Sequence, residues 1–225
     1  MKNRLLQDSY HRLNIMRLMY FRPAKLFNKI NELPWYQETL QTWSDSLGYH
    51  GGESVLEVGC ASGQLTKYWA TRGAIATGVD KSPQMLQLAN ASSTHGAHFK
   101  LASALDLPVQ NSQFDYVIAA SLINIISEPA TAMKEMVRAC KQGGTVSVLV
   151  SQAGMKDADV TRLADDLDLS GFSRAALTAW HRRAPKMQRE KLLQYFSQAG
   201  LQQACSNSYL NGLVLTVTAT RNAGA

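Results

Sequence analysis

The sequence predicts an α/β fold: a mostly parallel sheet with helices on both faces and an antiparallel end. Between residues 54 and 150, short apolar runs alternate with helical patterns. Such alternation is typical of parallel strands joined by right-handed helical crossovers. Near the end of the chain, Asn211 and Gly212 separate two apolar runs. This dipeptide is a strong hairpin signal, so the last two strands should run antiparallel.

The predicted strands cover residues 54–58, 75–79, 98–101, 115–120, 145–150, 204–209 and 213–220. The predicted helices cover residues 3–21, 35–47, 64–72, 83–91, 130–140, 160–167, 173–183 and 187–199. From this order we predict three parts: an N-terminal helical cap (1–49), a main domain (50–225), and a helical lid inserted in that domain (152–185).

The first predicted helix carries an apolar stripe. Its members, which recur at steps of three and four residues, are Leu6, Tyr10, Leu13, Met16 and Tyr20. That spacing indicates an amphipathic helix, and Pro23 marks its end.

Composition limits the class of protein. The chain has 225 residues, of which 45% are hydrophobic and 18% charged, enough for a sizeable core. No window approaches the length of apolar sequence that a membrane span needs. The three cysteines are far apart and form no CxxC pair, which argues against a disulfide framework or a structural zinc site. These features predict a reduced, cytoplasmic protein without a bound metal; they do not address its oligomeric state.

Charge is concentrated at one end. The formal net charge is +6, and residues 1–30 contain seven basic residues and one acidic residue, so the rest of the chain is neutral. A basic surface for nucleic acid is therefore disfavoured. The basic N-terminal segment leaves three interpretations open: contact with an anionic membrane surface, attraction of an anionic small molecule, or a solvated face.

The segment VLEVGCASGQLT (55–66) points to a ligand site. A predicted buried strand enters a turn with Gly59 and Gly63, and the turn opens a helix whose first N–H groups are free. Ala61 and Gln64 break the dinucleotide-binding pattern, and Gln64 and Leu65 break the P-loop pattern. Glu57 precedes the turn inside the strand. Asp80 ends the next strand, where an acid accepts hydrogen bonds from ribose hydroxyls.

Four segments together resemble the class I S-adenosylmethionine (SAM)-dependent methyltransferases. They are VLEVGCASGQLT, GVDKSPQML, LDLPVQNSQFDYVIA and AMKEMVRACKQGGTVSVL, in the family's order and spacing. The chain is most similar to the small-molecule branch that includes the ubiquinone and menaquinone C-methyltransferases. The resemblance covers residues 50–151 and 187–220. It implies a Rossmann-like seven-stranded sheet with the last strand antiparallel, SAM as cofactor, and S-adenosylhomocysteine as product.

The resemblance also implies the roles of individual residues. Asp80 would hold the ribose hydroxyls, and Glu57 would orient the glycine turn. Other implied cofactor contacts come from the ends of the first four strands: Gly59, Cys60, Ala61, Ser62, Gly63, Lys81, Ser82, Met85, Ser103, Ala104, Leu105, Ala120 and Ser121.

Two residues depart from the family pattern. Ala61 stands where the middle glycine of the motif is usual, and Ser103 replaces the acid that commonly contacts the adenine amine. These departures keep a non-catalytic SAM-fold binding or scaffold protein as an alternative. Within the enzyme class, the acceptor could be a small molecule, which we favour, or a macromolecule such as RNA or protein.

Candidates for catalysis come from the cap and the lid. His11 and His181 are the histidines that we consider as general bases, and Tyr10, Tyr20, Trp35, Tyr36 and Asn124 are candidate acceptor contacts. No metal-ligand spacing joins the histidines. Methyl transfer from a sulfonium is an in-line displacement, so alignment and exclusion of water are the protein's main tasks.

Overall fold

The structure of the protein is a computed structural model, which describes residues 2–92 and 94–222. Its strands are β1 (Ser54–Val58), β2 (Ile75–Asp80), β3 (Ala97–Leu101), β4 (Phe114–Ala120), β5 (Cys140–Ser151), β6 (Cys205–Tyr209) and β7 (Val214–Thr220). Its α-helices are α1 (Lys2–Phe21), α2 (Pro23–Asn31), α3 (Pro34–Asp45), α4 (Gln64–Thr71), α5 (Pro83–Asn90), α6 (Pro129–Ala139), α7 (Asp157–Asp166), α8 (Gly171–Arg183) and α9 (Arg189–Gln198).

The strands form one sheet in the order β3-β2-β1-β4-β5-β7-β6. β1 to β5 pair in parallel, and β7 is antiparallel to both β5 and β6. The predicted Rossmann-like sheet with an antiparallel end is therefore confirmed. In such a sheet the carboxyl ends of the parallel strands lie along one edge, where open α/β folds bind ligands.

Both faces of the central part of the sheet are buried. On one face, α6 and α9 pack against alternate residues of the central strands, with Met133 and Phe196 fully buried. On the other face, α3, α4, α7 and α8 contribute to a second core that includes Trp43 and Leu177. α3 belongs to the segment predicted as a cap, yet it lies on the sheet itself, with the Trp43 indole donating to Ser147 Oγ of β5 at 2.9 Å.

The first two helices share a small core of their own with α8. α1 and α2 pack on α8 through a small core of Ile15, Leu26, Ile30 and Ala176. The sequence did not predict α2, because Pro23 ends α1 and also occupies the first turn of the next helix, where its missing N–H costs nothing.

The described members of the predicted apolar stripe of α1 face solvent, and this is a correction; the side chain of Leu6 lies outside the described residues. Tyr10, Leu13, Met16 and Tyr20 are exposed, whereas Ile15 is buried. The physical reason is that α1 carries apolar residues on two sides, so the spacing alone does not say which side is covered. Among the described residues, no helix is long and apolar enough to cross a membrane.

Two further boundaries differ from prediction. The hairpin connection is a 3₁₀ turn over Leu210–Gly212 rather than two residues, with both Leu210 and Asn211 at positive φ. β5 begins at Cys140, directly after α6, whereas the predicted strand begins at residue 145. Its pairing with β4 shifts in register between Phe114 and Tyr116, and this shift accommodates the polar and glycine residues before Thr145.

The hydrogen bond from Trp43 to Ser147 gives a stability prediction. We expect Trp43→Phe to lower the free energy of unfolding by about 1 kcal/mol more than Trp35→Phe does. Trp35 is a matched control because it is equally buried but its indole N–H has no hydrogen-bond partner among the described residues. Urea denaturation measures both. Equal losses of unfolding free energy in the two variants would contradict the hydrogen bond from Trp43 to Ser147.

Candidate functional site

A cleft of about 650 Å³ opens at the carboxyl ends of β1 to β4. This volume is within the usual range for small-molecule sites. The strand ends and the loops after them form most of its wall, and the cap and lid close the remaining side. Its wall consists of Ile30, Asn31, Tyr36, Gly59, Ala61, Val79, Asp80, Lys81, Ser82, Gln84, Met85, Ala102, Ser103, Ala104, Leu105, Ala120, Ser121, Leu122, Ile125, Ile126, Ser127 and Trp180.

The backbone conformation of the glycine turn after β1 limits which residues it can contain. Gly59 and Cys60 both donate their N–H groups to the carbonyl of Val79, which fastens the turn to the end of β2. Gly63, at the N-terminus of α4, has φ of +76°, and a Cβ there would lie 2.5 Å from the Phe99 ring. A side chain at position 63 is therefore excluded both by conformation and by space.

Asp80 links two loops. Its Oδ2 accepts from the N–H of Ala61 at 2.9 Å, and its Oδ1 accepts from the N–H of Ser82 at 2.8 Å. The side chain also lies in the cleft wall. Each carboxylate oxygen has a second lone pair, so this group can position the loops and still accept hydrogen bonds from a ligand.

Ala61 occupies a conformation that favours glycine. Its φ is +47°, and its methyl group lies in the wall of the cleft. A non-glycine residue in this region costs about 1 kcal/mol. The N–H bond to Asp80 holds Ala61 in place despite that cost.

Glu57 is buried beneath the turn rather than in the cleft wall. It accepts a very short hydrogen bond from Thr66 Oγ1. Burial raises the pKa of the Glu57 carboxyl to about 8; the bond from Thr66 opposes that rise, and the charge of Asp80 adds to it. Gly78 makes room for this cluster, because a Cβ there would lie 2.6 Å from Thr66 Oγ1.

The other end of the cleft is aromatic and apolar. The rings of Tyr36 and Trp180 meet edge to face, with centroids 6.1 Å apart, and Trp35 packs behind both. The Tyr36 hydroxyl lies 3.3 Å from Ser121 Oγ. Burial raises the pKa of the Tyr36 hydroxyl, so it keeps its proton at neutral pH and can donate a hydrogen bond.

The structure brings together most of the predicted cofactor contacts. In the cleft wall lie Gly59, Ala61, Asp80, Lys81, Ser82, Met85, Ser103, Ala104, Leu105, Ala120 and Ser121, and also Tyr36 from the acceptor set. Outside the wall lie Glu57, Cys60, Ser62, Gly63 and Trp35. Burial raises the pKa of the Cys60 thiol far above its usual range, so Cys60 is not a nucleophile.

His11 and His181, the two candidate bases, are not among the described residues of the cleft wall. His181 is buried, and its Nε2 lies 3.3 Å from Asp157 Oδ1 on α7. Burial and the nearby Lys186 charge lower the pKa of its imidazole. The ring of His11 lies against Gly171 at the start of α8. Both histidines therefore lie at helix contacts, and their role as bases stays a prediction.

Three other acceptor candidates are also placed elsewhere. Tyr10 and Tyr20 are on the exposed side of α1. Asn124 donates from Nδ2 to the carbonyl of Pro185 at 2.7 Å, which connects the loop after β4 to the end of the lid.

Sequence reasoning missed the lid residue that enters the cleft. Trp180 lies in the wall, whereas its neighbour His181 points into the α7–α8 contact. Adjacent helix residues differ in direction by about 100°, so the side chains of Trp180 and His181 have different surroundings. Ile30 and Asn31 were missed with α2; Asn31 Nδ2 lies 3.4 Å from Ser62 Oγ and so connects the cap to the glycine turn.

Comparison with known proteins agrees with this geometry. Residues 56–148, from β1 into β5, match the family model described as a methyltransferase domain. A SAM-dependent methyltransferase from Aquifex aeolicus superposes with a TM-score of 0.65 at 15% identity, over 85% of this chain and 96% of that one. Residues 56–148 are therefore similar to methyltransferase domains, and the chain has the fold of a SAM-dependent methyltransferase of known structure.

Curated proteins that are similar in sequence to this chain are named for the acceptors that they methylate. The chain is 27% identical to a malonyl-[acyl-carrier protein] O-methyltransferase of Serratia marcescens, over 47% of this chain and 41% of that protein. It is 30% identical to a demethylmenaquinone methyltransferase of Tropheryma whipplei, over 59% of this chain and 57% of that protein. The chain thus spans about half the length of the curated relatives it matches.

Within the part of the chain that the structure describes, no group of three or more His, Cys, Asp or Glu side chains could hold a metal ion.

The raised pKa of Glu57 predicts a pH dependence of stability. Because the folded state holds this proton more tightly than the unfolded state, with its ordinary value of 4.5, the stabilisation is complete below about pH 4.5 and is lost as pH rises through about 8. We expect Glu57→Gln, which cannot ionise, to reduce the decline in unfolding free energy by up to about 1.4 kcal/mol per pH unit in this window.

Urea denaturation at several pH values between about 5 and 8.5 tests this. Glu38→Gln is the matched control because Glu38 is exposed on α3. A slope that is the same in Glu57→Gln and in the wild type would show that Glu57 is ionised in the folded protein.

Proposed function

We propose that this chain transfers a methyl group from SAM to a small acceptor with an apolar or aromatic body. The observation that carries the proposal is one continuous cleft with two chemically different ends. One end has the glycine turn and Asp80, and the other has Tyr36, Trp180 and aliphatic side chains. The first end suits a nucleoside with an amino-acid tail, and the second suits an apolar acceptor.

The residues present fit SAM. Asp80 faces the cleft with lone pairs left over from its two backbone bonds, so it would accept hydrogen bonds from the ribose hydroxyls. Met85 and Leu105 offer apolar contact for the adenine, and Ser103 Oγ would be its polar neighbour. The turn at Gly59 and Ala61 would contact the methionine portion. When bound, SAM supplies an electrophilic methyl group on a sulfonium.

The chain's own part in the reaction is alignment rather than proton removal. The titratable side chains in the described cleft wall are Asp80, Lys81 and Tyr36. Asp80 is at the nucleoside end and engaged by backbone N–H groups, and Tyr36 is protonated. The acceptor must therefore need no base from the protein: a carboxylate, a hydroxyl acidic enough to lose its proton to water before it binds, or an electron-rich ring carbon that releases its proton to water after the methyl group is transferred.

Tyr36 would position this acceptor. Its hydroxyl and Ser121 Oγ form a polar pair within an apolar surround, at the end of β4. A hydrogen bond from this pair would hold an oxygen of the acceptor, while Trp180 and Tyr36 shield the site from water. The named acceptors of the two relatives, a malonyl thioester and a quinone precursor, offer such oxygens.

Asp80 provides the test of cofactor binding. Hydrogen bonds to a charged group are worth about 1.5–3 kcal/mol, so Asp80→Ala should weaken SAM and S-adenosylhomocysteine binding at least tenfold by calorimetry. Asp106→Ala, which removes a carboxylate outside the cleft wall, is the matched control. Thermal unfolding of each variant separates lost affinity from lost structure. A wild type that binds neither nucleoside would overturn the proposed function.

The acceptor end has its own test. We would screen a malonyl thioester, aromatic and aliphatic carboxylates, and reduced quinones, with S-adenosylhomocysteine formation as readout. With any active acceptor, Tyr36→Phe should lower kcat/KM about tenfold and change SAM affinity less than about twofold. Tyr49→Phe is the matched control, because the Tyr49 hydroxyl accepts from Gly52 outside the cleft. SAM binding without turnover on any acceptor would favour the scaffold alternative.

A further inference from the structure

The outward side of α1 is apolar although it is exposed. We call Tyr10, Leu13, Met16, Arg17, Tyr20 and Phe21 the outer face of α1. At 100° per residue these positions share one side of the helix, opposite Ile15. Their apolar members range in exposed fraction from 52% for Met16 to 84% for Tyr20. Contiguous exposed apolar side chains of this size are typical of an interaction surface.

The surroundings of this face are basic. Residues 9–31 contain five Arg or Lys residues and no Asp or Glu. Arg17, Arg22 and Lys25 are exposed, and none forms an ion pair with the residues that the structure describes. The Lys29 ammonium is engaged differently, 5.6 Å from the centre of the Phe172 ring on α8. The outer face and the basic residues beside it thus combine apolar, aromatic and cationic side chains, and residues 9–31 contain no acid to compensate their charge.

We propose that the outer face of α1 docks the protein on an anionic lipid surface. Leu13, Met16 and Phe21 would enter the boundary between headgroups and acyl chains, and the tyrosine rings would lie at the headgroup level. Arg17, within the face, would meet lipid phosphates, with Arg22 and Lys25 adding attraction to the surface charge.

Other occupants match these observations less well. A second copy of the chain would bring two identical cationic faces together, and their like charges would repel. A nucleic acid would pair with the arginines but leave the aliphatic side chains in water. A lipid surface satisfies both kinds of side chain at once.

The position of α1 gives this docking a consequence for the reaction. α1 packs on α2 and α8, which contribute Ile30 and Trp180 to the cleft wall. A docked protein would therefore hold the apolar end of its cleft close to the lipid. This part of the inference rests on the proposed function, because it concerns an acceptor that dissolves in the bilayer.

Vesicle binding tests the docking without any cofactor. The full chain is sedimented with phosphatidylcholine vesicles, with and without about 30 mol % phosphatidylglycerol. We expect binding to the anionic vesicles, weakened by salt. The double variant Leu13→Ser/Tyr20→Ser should lower the partition coefficient at least tenfold, since it removes two large apolar side chains from the face.

Two single variants complete the design. Arg17→Glu should lower binding to anionic vesicles several-fold without affecting folding. Ile75→Ser is the matched control, because Ile75 is also an exposed apolar residue (58%) but lies at the amino end of β2 and not on α1. This variant should bind vesicles as the wild type does.

Specific results would overturn the proposal: no wild-type binding to anionic vesicles, equal binding to neutral ones, or undiminished binding of the double variant. A wild-type dimer in light scattering that the double variant abolishes would assign the face to a second copy instead. Thermal unfolding and SAM calorimetry on the same variants keep the two proposals separate. Lipid binding without SAM binding would overturn only the proposed function, and SAM binding without lipid binding would overturn only the docking.

Discussion

The carboxylate of Asp80 joins the turn after β1 to the turn after β2, and the shape of the cleft depends on this link. One oxygen holds the N–H of Ala61 in a left-handed conformation, and the other holds the N–H of Ser82 at the start of α5. The carbonyl of Val79 fixes Gly59 and Cys60 from the same strand end. A parallel sheet makes this possible, because it places the ends of neighbouring strands side by side.

The opposite end of the cleft is assembled from segments far apart in the chain. Tyr36 comes from α3, Ser121 from the end of β4, and Trp180 from the lid. Their contacts create a polar pair inside an aromatic surround, and among the described residues of the cleft wall only Tyr36, Asp80 and Lys81 are titratable. For this reason the proposed acceptors are those that need no base from the protein, a restriction that the family resemblance does not provide.

The cap performs two tasks on its two sides. On the inward side, Ile15 and Leu26 belong to the small core that holds α1 and α2 on α8. Asn31 donates a hydrogen bond to Ser62 in the glycine turn. Outward, the same helix pair exposes apolar and cationic side chains. The site and the surface that we propose to meet lipid are therefore connected through a single layer of helices.

Local sequence was sufficient for the sheet and for the glycine-turn end of the cleft. Alternating apolar runs specify parallel strands, and residues such as Gly59, Ala61 and Asp80 lie in the cleft wall at positions set by their own strand ends, so short spacing locates them. The direction of side chains from the cap and lid could not be obtained in this way. α1 has two apolar sides, and Trp180 and His181 are adjacent on one helix, so only the packing of α1 and α8 decides which side faces solvent and which ring enters the cleft.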